Sequence, residues 1–401
     1  MPWKETSAMD LRVRFVADCM KGIDSKSSLC AFYGISRPTG DKWIARYHAG
    51  GWDGLKERSR APLSYPYAVT EAVRAKIVEV KLSHQDWGPR KVVDLLRRDY
   101  KGQVWPADST VGEILKRTGL VRSRRRRRHA PPDTQPFGAC ERCNDSVSAD
   151  FKGPGRLSNG RRYYPLTISD NFSRYVLLCR ALIHPTYEAV RPWFEWVFRE
   201  YGLPLVIRTD NGPPFASLAV GGLSALSLWW IRLGIRPERI RPGRPDQNGR
   251  HERMHRTLKA AAMRTVHKTL ATQQHRFDHF VHEFNCERSH EALHRQTPAE
   301  VYHPSPRSYP AKLPMVEYDS GTVIRHVRHN GEIKWHGRTI YLSKVLAHEP
   351  VALEQVDNHR WEVRYSFHPL GLLDEKTDTI VPHKEWHEKT QTCKLCPRSK
   401  T

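Results

Sequence analysis

The sequence predicts a multidomain protein with an α/β core, all-α helix-turn-helix units ahead of it and a small β-barrel behind it. Three observations support this. Apolar residues recur at helical spacing through roughly the first 120 residues. Strand-like and helical runs then alternate from 144 to about 302, and short β runs separated by turns fill 321 to 373. At 401 residues the chain is long enough for roughly two to four domains, each with its own core.

Residues 1–62 read as a helix-turn-helix domain. Leu11, Phe15, Val16 and Cys19 follow helical spacing, and a short helix runs from Ser27 to Tyr33. Gly34 makes a turn, Ser36 is placed as an N-cap, and Pro38 suits a first helical turn. The following helix, Thr39 to Tyr47, carries Lys42, Trp43 and Arg46, the side chains expected to meet a DNA groove. Residues 63–121 read as a second helix-turn-helix domain, of a kind that can carry a wing. There Asp108 or Ser109 is expected to cap a last helix ended by Gly119.

A formal net charge of +23 points to a polyanionic partner, because Lys and Arg neutralising phosphates supply much of nucleic-acid affinity. The charge is also clustered. Residues 122–143 form a basic linker whose block, Arg124, Arg125, Arg126, Arg127 and Arg128, suits an arm tracking a DNA backbone. No signal peptide is visible and no apolar run approaches the roughly 18 residues of a membrane span. Double-stranded DNA is therefore the expected partner, with no membrane association and a cytoplasmic, nucleoid-associated location. Cys140/Cys143 and Cys393/Cys396 are two Cys-x-x-Cys pairs that could in principle share a zinc. Their wide separation favours free thiols instead.

Between 144 and 305 the strand candidates are 147–152, 163–169, 175–180 and the apolar run ending at Asp210, with helices at 186–201, 223–233, 247–265 and 270–284. This pattern reads as a mixed sheet with helices on its faces. It places three carboxylates, Asp150, Asp210 and Glu252, on two strands and one helix. Carboxylates so placed can converge on a pair of hard cations that clamp the attacking and leaving oxygens of a phosphoryl transfer. Arg256 and Lys259 follow Glu252 by four and seven residues and share its helix face, beside the expected metal site. Asp170, before a turn, is expected to fix that turn, and Asp246 to cap the helix. Residues 306–375 make up the expected β-barrel and 376–401 a disordered tail.

Four ordered segments resemble the integrase catalytic core shared by retroviral integrases and bacterial insertion-sequence transposases: Asp150–Gly153, Thr167–Arg174, Thr209–Gly212 and Gly249–Lys259. Asn285–Leu293 with Thr297–Pro298 resembles the segment that closes this core in bacterial members. The resemblance implies a ribonuclease-H-like fold with Asp150, Asp210 and Glu252 as a catalytic triad. That triad would bind two Mg²⁺ ions, with Mn²⁺ able to substitute. It further implies hydrolysis that exposes a 3′-hydroxyl at an element end, strand transfer into target DNA, and a homo-oligomer assembled on the DNA. Two departures stand out. Forty-one residues separate Asp210 from Glu252, more than the family's usual spacing, and Ser148-Ala149 precede Asp150 where a bulkier pair is common. A catalytically silent DNA-binding regulator and a ribonuclease-H-type nuclease are the rival readings.

Overall fold

The computed structural model describes residues 7–59, 68–121, 140–217, 220–240 and 245–381, excepting the side chains of 245 and 246. The arginine block 124–128, Cys393/Cys396 and the side chain of Asp246 lie outside these residues. Clustering of contacts divides the chain into two compact units, Met1–Val69 and Thr70–Thr401. No helix of the described residues is long and apolar enough to cross a membrane.

The first unit holds α1 (Ala8–Lys21), α2 (Lys26–Phe32), α3 (Arg37–Gly50) and a 3-10 turn at Gly51–Leu55. Ser7 and Asp10 form a capping box, and Ser25 and Ser36 cap the next two helices with their hydroxyls. Gly34 takes φ +64 in the turn between α2 and α3. Gly40 lets α3 approach closely: a Cβ there would stand 2.6 Å from Cys30 Sγ and 2.9 Å from Phe15 Cζ. One correction follows from the packing. Trp43 is buried with Phe15, Val16, Leu29 and Leu55, so its ring belongs to the core rather than to a groove-facing surface. Its faces instead carry cations, with Arg12 at 4.0 Å, Arg46 at 4.9 Å and Lys42 at 5.2 Å from the ring centroid.

The second unit opens with α4 (Glu71–Ser83), α5 (Pro89–Asp99) and α6 (Asp108–Arg117), packed around Ile77, Trp87, Val92, Leu96, Val111 and Leu115. The expected cap of α6 is displaced. Ala107 is the capping residue, without a side-chain bond, and Asp108 enters the first turn, where it pairs with Arg295 at 3.1 Å.

The central sheet is built from β1 (Ser146–Phe151), β2 (Gly155–Arg156), β3 (Arg162–Asp170), β4 (Val176–Leu182), β5 (Val206–Thr209) and β6 (Arg236–Arg239), with α7 (Tyr187–Tyr201) and α8 (Ala225–Arg232) between its later strands. The order is β2-β3-β1-β5-β6, with β4 also on β3. β1 runs antiparallel to β3 and parallel to β5, and β5 is parallel to β6. Because side chains alternate along a strand, Val147, Ala149, Leu166, Ile168 and Ile207 face one core with α7 and α8. The opposite face meets α9 (Gly249–Ala262) and α10 (Leu270–His282) through Met254, Leu258, Phe277 and Phe280.

The serines that precede Asp150 explain the absence of a bulky pair. Ser146 and Ser148 face away from the apolar core and bind Asn171, whose amide donates to Ser146 Oγ and whose carbonyl accepts from Ser148 Oγ. Asp170 fixes the turn, as expected. Its carboxylate accepts from Asn144 N at 2.8 Å and from Ser173 N and Oγ at 2.7 Å each.

After α10 the chain makes a single π-helical turn, Glu283–Glu287, and an irregular segment reaching Arg295. This stretch receives α5. Trp87 Nε1 donates to Glu283 at 2.9 Å, Lys91 Nζ to the Ser289 carbonyl at 2.7 Å, and Arg295 pairs with Asp94 at 2.6 Å. The helices α4–α6 are thus joined to the segment that follows α10 by partly buried polar contacts.

The C-terminal strands are β7 (Val323–His326), β8 (Glu332–Trp335), β9 (Arg338–Tyr341), β10 (Pro350–Asp357), β11 (Arg360–Tyr365), β12 (His368–Asp374) and β13 (Thr379–Val381). They differ from the expected barrel. A five-stranded sheet, β13-β12-β11-β10-β7, and a two-stranded sheet, β8-β9, share one core, and among the described residues no strand pairing closes them. Order also continues past 375, since β13 pairs with β12 from Asp374↔Thr379 to Leu372↔Val381. Leu223, Leu228 and Ile231 from the α8 region enter this same core.

Replacing Asp170 with Ala strands three buried donors at once, and each lost partner carries a desolvation cost. We expect Asp170→Ala to destabilise the Thr70–Thr401 unit by about 2–3 kcal/mol, read as a lower urea midpoint. An unchanged midpoint would show that the turn holds without its carboxylate.

Candidate active site

The register of the parallel pair places two of the carboxylates. Ser146 pairs with Val206, Val147 with Ile207 and Ser148 with Arg208, and the same offset carried forward sets Asp150 beside Asp210 at the carboxyl ends of adjacent strands. Equal offset means equal parity, so both side chains leave the sheet on the α9 face, and neighbouring strands lie only about 4.8 Å apart. Asp210 immediately follows β5 and accepts from Gly212 N at 3.2 Å. Glu252 lies in the first turn of α9 and is exposed, as are Arg256 and Lys259 one and two turns further on. In the first unit Lys42 is exposed and Arg46 half-buried.

The electrostatics match this convergence. Burial pushes the Asp150 carboxyl up to about 7, and the charge of Asp210 pushes the same way, with Glu252 adding a smaller share. Burial also raises Asp210, against the opposing bond from Gly212. At Asp150 a hydrogen bond from the Phe151 backbone and the charge of Lys152 oppose the rise without offsetting it, and Asn248 Nδ2 approaches Oδ2 only at 3.4 Å. Oxygen donors this crowded and desolvated suit a hard divalent cation, which would restore their ionised form. The donor set therefore fits the Mg²⁺ that the resemblance implies.

Sequence reasoning missed the layer beneath this site. α9 turns His251, Met254, His255 and Leu258 inward, and both imidazoles meet Thr167 on β3, the residue paired across the ladder with Asp150. Thr167 Oγ1 stands 2.8 Å from His251 Nε2, 2.7 Å from His255 Nε2 and 3.0 Å from the Asp150 carbonyl. Ser169 Oγ lies 2.9 Å from His251 Nδ1. The available signal was His251-Glu252-Arg253-Met254-His255, the His-Glu-x-x-His spacing that puts two imidazoles on one helix face, often around zinc. Here the Thr167 hydroxyl occupies the point where both Nε2 atoms converge, which rules out a zinc held in that manner. Burial lowers both histidines, His255 to about 3, so both rings are neutral.

Among the cysteines, Cys140 Sγ lies 3.8 Å from the Arg142 carbonyl and Cys143 Sγ 3.4 Å from that of Val301, and burial raises both thiols. They are free.

The raised Asp150 carboxyl has a consequence for stability. In the unfolded chain this group loses its proton near its ordinary value of 3.8, whereas in the fold it does so near 7. Between those limits the folded state binds more protons, so stability falls as pH rises through the window and stays reduced above it. In chelator, Asp150→Asn should therefore be more stable than the native chain at pH 8, by up to about 4 kcal/mol. The two should converge near pH 4 in thermal melts. Equal stability at both pH values would mean that the carboxyl is not strained by its surroundings.

Comparison with known proteins matches several stretches of the chain. Residues 141–245 and 233–298 each match an integrase core domain model. Residues 11–62 match a helix-turn-helix domain model and 39–115 a homeodomain-like one. An uncharacterised protein of insertion element IS476 from Xanthomonas euvesicatoria is 30% identical over 49% of this chain and 54% of its own length. The chain thus spans about half of that relative. One from insertion element IS407 of Burkholderia multivorans is 27% identical over 60% of this chain and 86% of its own. The catalytic core domain of HTLV-2 integrase in complex with magnesium is 18% identical, covering 41% of this chain and 99% of that one, at a TM-score of 0.33. The matches fall in chain order: helix-turn-helix models over residues 11–115, then integrase core domain models over 141–298, the stretch that holds the mixed α/β sheet.

Proposed function

We propose that this protein is a DNA transposase that uses Asp150, Asp210 and Glu252 to hydrolyse the 3′ ends of an element and to join them to target DNA. The observation that carries the reading is the parallel register of β1 and β5, which sets Asp150 and Asp210 side by side facing α9, the helix of Glu252. Asp150, Asp210 and Glu252 would hold a pair of Mg²⁺ ions, with Mn²⁺ as a substitute. When bound, such ions supply Lewis acidity at the attacking and leaving oxygens of an in-line displacement. The chain's own part is to hold acceptor-only oxygens on a rigid frame and to bind and orient the DNA. Arg256 and Lys259, exposed on α9 beyond Glu252, would bind backbone phosphates. Lys42 and Arg46 on α3, with the arginine block 124–128, would grip the terminal repeats. Bringing two ends together calls for at least a dimer on the DNA.

The proposal is tested with purified full-length protein and a duplex ending in the inverted repeats that bracket its reading frame, supplied with Mg²⁺ or Mn²⁺. We expect 3′-end nicking and joining of that end to a second duplex. Asp150→Asn, Asp210→Asn and Glu252→Gln should each lower joining by more than about a hundredfold, the scale of one lost electrostatic partner at a reacting centre. Binding of the same duplex should remain. Joining that survives in all three variants sinks the assignment. Cleavage of an RNA–DNA hybrid without any joining would instead favour a plain nuclease, and end binding without nicking a silent regulator.

A further inference from the structure

The hydrogen-bonded cluster beneath the carboxylates fixes its own protons. The Asp150 carbonyl can only accept, so the single proton of the Thr167 hydroxyl goes to it, over 3.0 Å. The two lone pairs of Thr167 Oγ1 then accept from His251 Nε2 and His255 Nε2, each of which must carry hydrogen. In a neutral ring the other nitrogen is bare. On His251 that nitrogen accepts from Ser169 Oγ at 2.9 Å. On His255 the bare Nδ1 faces Asp150 Oδ2 at 3.8 Å.

Two acceptors therefore look at each other across a gap too long for a hydrogen bond. The His255 side chain is only 6% exposed, so its Nδ1 has little water to turn to. An ion with metal–ligand bonds of roughly 2.1 Å would find room between Nδ1 and Asp150 Oδ2. Glu252 and His255 are also spaced i, i+3 on α9, the spacing by which helices of carboxylate-bridged metal proteins present a carboxylate and an imidazole to one centre. His251 lies within the same 4.8 Å group as Asp150 and His255, but the cluster leaves it no free nitrogen.

We infer that His255 Nδ1 is a nitrogen ligand to the divalent ion held by Asp150, so that the site favours a transition-metal ion such as Mn²⁺ over Mg²⁺, which is bound through oxygen ligands. This rests on reading the carboxylates as a metal site, and the test separates the two.

The full chain is loaded with Mn²⁺ alone, and the bound ion is examined by pulsed electron paramagnetic resonance for coupling to nitrogen. We expect a ¹⁴N coupling that converts to a ¹⁵N pattern when histidine is isotopically labelled. It should disappear in His255→Gln, persist in His251→Gln, and be absent in Asp150→Asn, where the ion is lost. His255→Gln should also weaken Mn²⁺ about 10–100-fold and Mg²⁺ much less, measured by titration. Mn²⁺ bound without histidine coupling, or coupling that survives His255→Gln, overturns the inference while leaving the carboxylate site standing. Mn²⁺ binding that is equally strong in Asp150→Asn, Asp210→Asn and Glu252→Gln overturns the carboxylate reading as well. Should His255→Gln fail to fold, the isotope conversion in the native chain still decides whether a histidine touches the ion.

Discussion

Everything at the centre of this molecule depends on one strand pairing. β1 and β5 lie parallel in a register that leaves Asp150 and Asp210 as neighbours at the end of the sheet, and two carboxylates so close in a half-buried place repel each other. The surrounding structure resists that repulsion. β1 is held by five ladder partners on β3, and its inner face is locked by Val147 and Ala149 in the main core. β5 is tied to β6 by the buried pair Arg208–Glu238 at 3.0 Å. The strain on the carboxylates is thus borne by packing and hydrogen bonds that lie on other faces of the same strands.

The helix that completes the site is anchored with equal care. α9 could rotate or slide over an apolar face at modest cost, since Met254 and Leu258 alone make a forgiving contact. Thr167 removes that freedom. A hydroxyl meeting two imidazoles and a main-chain carbonyl fixes both the height and the turn of the helix relative to β3. Glu252 inherits its position from a cluster in which it takes no part.

Local chemistry was legible in the sequence where it acts on its own neighbours. Ser36 and Thr186 cap their helices because capping needs only the next three residues, and Gly34 turns because its own φ is positive. Asp150, Asp210 and Glu252 stood out because each sits in a distinctive short segment, and the fold brings the strand ends of Asp150 and Asp210 together. Features whose partners are distant in the chain stayed hidden. β6 reads Arg-Pro-Glu-Arg, with no apolar pattern, and is a strand only because β5 offers it an edge and Glu238 a buried arginine. β13 exists by pairing with β12, and Trp43 looked like a DNA contact until its neighbours from α1 and α2 were seen to cover it. His251 and His255 gave a periodic signal, but only the fold shows Thr167 standing between them.

The contacts that fasten α5 to the segment after α10 bear on how such a protein can be recombined. A cut between Val69 and Thr70 falls at the boundary of two compact units, each with a hydrophobic core of its own. A cut after α6 would be different. It would leave Glu283 without Trp87, Arg295 without Asp94, and the Ser289 carbonyl without Lys91, exposing polar groups shaped for a particular neighbour. Modularity in this chain is therefore uneven, and α4–α6 and the core must change together in evolution or in engineering.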